Sequence, residues 1–83
     1  MTELESTIKM RLEQSGVDNL KEYSKILKKT AHYKDFSVYL TALVRDIVFG
    51  KEEVDSWKRK HGIDSCEATT LIERALDELE VLV

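Results

Sequence analysis

The sequence predicts an all-α protein, a compact bundle of about five short helices. Three observations carry that prediction. Proline is absent and glycine occurs three times in 83 residues, so the frequent turns that sheets need are missing. Val, Ile and Thr form no alternating run of useful length. Apolar residues recur instead at three- and four-residue spacings, and Gly16, Gly50 and Gly62 each follow such a segment, where a left-handed C-cap residue is wanted.

The first helix is expected from about Glu3 to Ser15. Thr2 and Glu5 have capping-box spacing, and Leu4, Ile8 and Leu12 line one face. After Gly16, Asp18 is placed to cap a second helix, in which Leu20, Tyr23 and Leu27 share a face with Ile26 beside them. Its far side is rich in lysine. The stretch Thr30 to Lys34 reads either as a connection or as a continuation of that helix. Asp35 then caps a third helix, Phe36 to Phe49. Phe36, Tyr39, Leu40, Leu43, Val44, Ile47 and Val48 make its apolar stripe so broad that burial against several neighbours is expected, which would make it the central helix.

Beyond Gly50, the segment KEEVDSWKRKH has acids early and bases late, the order that suits a helix macrodipole. Val54, Trp57 and His61 fall on one face of this fourth helix, and Gly62 stops it. Asp64 and Glu67 repeat the capping-box spacing. From Ala68 through Leu71, Ile72, Ala75, Leu76, Leu79 and Leu82 the apolar residues then keep helical phase, so the last helix is expected to run nearly to Val83. Nowhere is the pattern heptad-regular over the three or four heptads a coiled coil requires.

The length fits one domain, and 42% hydrophobic with 35% charged residues describes a folded chain rather than a disordered one. No apolar run approaches the ~20 residues of a membrane span. MTELESTIKM lacks a secretory pattern, and Cys66, the single cysteine, has no partner for a disulfide. These features point to an intracellular, soluble protein, cytoplasmic or nuclear.

Chemistry is sparse. Cys66 at the start of the last helix could gain thiolate character from the helix dipole, but Asp64 and Glu67 beside it oppose that, and a Cys–His pair would need His32 or His61 nearby. Two histidines and one cysteine give no zinc spacing, and neither an EF-hand loop nor a glycine-rich phosphate loop occurs. The expectation is therefore no enzyme, no metal and no cofactor.

Net charge is −3, which does not favour nucleic acid, but the charge is unevenly spread. Lys21, Lys25, Lys28, Lys29 and Lys34 against Glu22 make a local +4, which reads either as an electrostatic patch for RNA, an acidic protein or anionic lipid, or as an ordinary solvated helix face. From Asp64 to the end the balance is −5. Trp57, Gly62, Ile63, Ala68 and Leu71 fall near the positions of a helix-turn-helix, with Ser65 to Leu76 as its reading helix. That helix would present Ser65, Glu67, Thr70, Glu73 and Asp77, and carboxylates against a polyanion cost affinity.

The apolar C-terminus is the remaining feature. Leu79, Val81, Leu82 and Val83 either dock back into the bundle or meet another chain, a second copy included. The sequence thus predicts a non-enzymatic interaction module, adaptor or subunit, with a nucleic-acid-binding regulator as the alternative. Leu27…Tyr33-Lys34-Asp35-Phe36…Leu40…Leu43 resembles the start of harmonin-like helical adaptor domains, five-helix bundles that bind a partner's helix or peptide. The likeness covers about a third of the chain, stops before Lys51 and defines no family, but it implies the same adaptor role.

Overall fold

In the computed structural model, which describes residues 2–30 and 35–82, five α-helices follow one another: α1 (Glu3–Gln14), α2 (Val17–Thr30), α3 (Phe36–Val44), α4 (Lys51–His61) and α5 (Ser65–Glu78). A π-helical turn, Arg45–Phe49, continues α3. The longest helices have 14 residues, too short for a coiled coil, and their buried side chains form one cluster. No helix among the described residues is long and apolar enough to cross a membrane.

The expected caps at Thr2 and Asp64 are present. Glu5 N–H donates to Thr2 Oγ1 at 3.2 Å, and Glu67 N–H donates to Asp64 Oδ1 at 2.8 Å. Gly62 ends α4 in the left-handed conformation. Two other caps differ. Gly16 already supplies the carbonyl that Leu20 N–H bonds, so α2 begins at Val17 and Asp18 lies inside its first turn. Asp35 occupies the N-cap position of α3, but its side chain makes no capping bond.

The centre of the bundle is α5, not α3. It packs against α1, α3 and α4, and Ala68, Ile72, Ala75 and Leu76 are buried there with Ile8 and Leu12 of α1. α3 sits between α2 and α5 and buries only Phe36, Leu40, Thr41 and Val44. Its stripe is wider than its cover. α2 touches α3 and, more lightly, α1. Its inward residues are Leu20 and Ser24 with half-buried Val17 and Leu27, whereas Tyr23 and Ile26 stay exposed. A helix advances about 100° per residue, so positions 20, 24 and 27 share one face and Tyr23 falls to its flank. His61, expected beside Val54 and Trp57, is exposed in the last turn of α4.

The π turn has a packing reason. Gly50 N–H bonds Arg45 O at 2.9 Å, five residues back, and this wider turn rotates each side chain less than an α-turn would. Phe49 is thereby brought to the buried side, where it meets Trp57 edge-on at 4.9 Å, while Ile47 is left pointing outward. Arg11 secures the junction. Its Nη1 donates to both Glu53 carboxylate oxygens at 2.7 and 2.6 Å, its Nη2 donates to Val48 O at 3.2 Å, and its guanidinium lies 5.4 Å from the centre of the Phe49 ring.

The last helix stops at Glu78 instead of running on to the C-terminus. Glu80 N–H bonds Asp77 O and Val81 N–H bonds Leu76 O at 2.9 Å, with Glu80 at φ 61°. This is a Schellman cap with glutamate at the left-handed position that glycine usually fills, and it folds Val81 onto Leu76 in the core. A side chain there costs about 1–2 kcal/mol. Glu80→Gly is therefore expected to stabilise the protein by about 1 kcal/mol, less than the full strain because glycine also frees the unfolded chain. Urea unfolding checks it, and an unchanged or lower midpoint would contradict the strain.

Candidate functional site

α3 contains no charged residue: its nine positions read FSVYLTALV. Such a helix belongs inside a protein, yet Val38 is 61% and Tyr39 53% exposed. Ile47, at 67%, continues the exposed strip into the π turn, and on α2 Tyr23 and Ile26 are exposed as well. A shallow pit of about 50 Å³ lies between the two helices, lined by Leu20, Tyr23, Leu40, Leu43, Val44, Ile47 and Val48 without any polar residue. At about 150–250 Å² per aromatic side chain, the two half-exposed tyrosines alone present roughly 200 Å². Scattered exposed residues such as Met10 on α1 are ordinary, whereas here Tyr23 and Ile47 meet around one apolar pit.

The residues singled out from the sequence fall elsewhere. Val81 is buried in the core, so it is withdrawn from any contact with another chain. Leu79 and Leu82 are half-buried against the same core, and Val83 lies outside the described residues. Leu79, Val81 and Leu82 thus pack on their own bundle. Sequence reasoning missed the α2–α3 strip as an exposed surface, although the surplus width of the α3 stripe was its signal.

Of the lysine patch, Lys21, Lys25 and Lys28 line one groove of about 260 Å³ together with Ser24, Glu80 and Val81. Lys25 pairs with Glu22 at 3.2 Å, and Lys28 Nζ stands 5.0 Å from the centre of the Phe36 ring. Lys29 is exposed but does not line the groove, and Lys34, with His32 and Tyr33, lies outside the described residues.

Cys66 and His61 border a common cleft of about 440 Å³ near the start of α1, with Glu67 and Arg74 on its wall. The thiol is exposed, and no hydrogen bond joins it to the imidazole. Among the described residues no group of three His, Cys, Asp or Glu side chains is gathered as a metal site. The helix-turn-helix element has the expected outline, with Gly62, Ile63 and Asp64 between α4 and α5, and Trp57 and Ala68 are buried. Ser65, Glu67, Thr70, Glu73 and Asp77 are exposed on α5, so the surface offered to a nucleic acid is acidic. Compared with known proteins, the chain matches no family model, no curated protein and no solved structure.

Proposed function

We propose that this chain is a non-enzymatic protein–protein interaction module whose docking surface is the apolar strip of α2, α3 and the π turn. The observation that carries the reading is the uncharged α3, on which Val38 and Tyr39 are each more than half exposed. Its partner is the apolar face of another protein's helix. Two neighbouring helices with a shallow apolar furrow between them suit that ligand, with Tyr23 and Tyr39 as amphipathic edges and Ile26 and Ile47 as contacts.

The test is a double variant, Ile26→Glu with Ile47→Glu. Both side chains are more than half exposed, so stability should change by no more than about 0.5 kcal/mol for each. The parent chain is expected to be monomeric by light scattering across concentrations and, immobilised, to retain a protein that the double variant releases. A parental dimer that the substitutions dissolve would reassign the strip to a second copy. Equal retention by both proteins would overturn the reading.

A further inference from the structure

The outward face of α5 carries Glu67, Thr70, Glu73, Arg74 and Asp77, all exposed and all on the side opposite buried Ala68, Ile72 and Ala75. Two clefts run beside it. The first, of about 440 Å³, lies against the start of α1, with buried Leu4 and half-buried Ile63 and Leu71 as an apolar floor. The second, of about 470 Å³, is bounded by Ser37 and Leu82. Thr70 and Arg74 line both, so the clefts join into one trough along the helix. From Glu67 to Asp77 the helix rises about 15 Å, the span of about five residues of extended peptide.

The charge of this trough is uncompensated. Glu5 and Glu67 line the first cleft and Glu73 and Asp77 the second, against the single guanidinium of Arg74. Among the described residues none of these five groups enters an ion pair, and every paired carboxylate lies elsewhere, on Glu22, Asp46, Glu53, Asp55 or Glu78. Glu5 Oε1 accepts from Thr2 Oγ1 at 3.3 Å, a bond that leaves its charge in place. With His61 neutral on the rim, four carboxylates against one cation leave three negative charges. That equals the net charge of the whole chain, −3, so the remaining charges balance and the excess is gathered here. Glu73 and Asp77, four residues apart on one helix, also repel each other.

We infer that this trough is the docking site for a basic peptide segment, an Arg- or Lys-rich stretch of about five residues in a partner protein. Charge complementarity selects the occupant. The apolar floor suits it too. A long basic side chain lays its methylene stem over Leu4, Ile63 and Leu71 and carries its charged head to Glu5 or Glu67 at the rim. A second basic residue meets Glu73 and Asp77 over the adjoining cleft. Arginine fits best, because its planar fork matches a carboxylate. Arg74 is the opposing group and limits affinity. The trough shares no lining residue with the apolar pit between α2 and α3, and the inference does not depend on the role of that strip.

Fluorescence anisotropy of a labelled hexa-arginine peptide, with amide chemical shifts to place it on the protein, tests the assignment. Saturable binding is expected, with shifts centred on residues 2–5 and 63–77. Glu67→Gln with Glu73→Gln, both at exposed positions, is expected to weaken binding about tenfold. Arg74→Gln is expected to tighten it several-fold by removing the opposing charge. Glu13→Gln with Glu52→Gln, exposed acids outside the trough, removes the same charge and should change affinity less than about twofold. Equal weakening by the two double variants would overturn the inference, because diffuse negative charge would then suffice. So would the absence of saturable binding, or shifts centred elsewhere. Light scattering covers the remaining occupant: a mass that grows with concentration, and falls in Glu67→Gln with Glu73→Gln, would give the trough to the lysine face of a second copy instead.

Discussion

Trp57→Ala is expected to destabilise the protein by about 3–5 kcal/mol, enough to leave much of it unfolded. Trp57 is almost fully buried and meets Phe49 edge-to-face, with 69° between the rings. It is the joint between α4 and the π turn, so alanine removes a large apolar volume and uncouples two elements at once. The paired rings add about 0.5–1.5 kcal/mol beyond their area. Trp57→Phe should keep part of this, because an aromatic edge remains. Far-UV circular dichroism during urea titration measures both variants without needing the indole signal. An alanine variant within about 1 kcal/mol of the parent would show that α4 is held mainly by the Arg11–Glu53 pair, and the partly exposed positions of that pair make this the weaker tie.

Leu76→Ala is expected to cost about 2–5 kcal/mol. Leu76 is fully buried on the most enclosed helix, its carbonyl accepts from Val81 N–H at 2.9 Å, and both side chains belong to the one core cluster. Removing the leucine side chain opens a cavity and also strips the apolar contact that accompanies a Schellman cap. The two sites should therefore be coupled. In a double-mutant cycle with Val81→Ala, the combined loss is expected to fall short of the sum by about 0.5 kcal/mol or more. Strict additivity would mean that backbone hydrogen bonds alone hold the C-terminal turn.

What the sequence makes legible here is what depends on near neighbours. Thr2 with Glu5 and Asp64 with Glu67 are local signals, and the caps form where they stand. Gly62 is another, since its position demands a left-handed residue. The failures are non-local. Glu80 takes a left-handed conformation with neither glycine nor asparagine to announce it, because burying Val81 outweighs the strain. The π turn follows from the need of Phe49 to reach Trp57, which no spacing within residues 45–49 reveals. Periodicity gives the phase of a stripe but not how many helices will cover it, so the broad stripe of α3 was compatible with a central helix or with a half-covered one. The structure has the second. The lysine face was visible, but Ser24 within it was not, since only packing shows that a serine flanked by lysines is buried.

The peripheral place of α2 has a kinetic consequence. With two buried residues, and with α3 and more lightly α1 as its main helical neighbours among the described residues, this helix can detach while the α1–α5 core persists. Its amide protons should then trade with solvent deuterium through a local opening whose free energy lies well below that of global unfolding, while those of α5 wait for the whole chain to open. Tyr23 and Ile26, Ser24 and the lysine groove all ride on this one loosely held segment. A partner on the apolar strip would register first as slowed exchange along α2, before any change in the core.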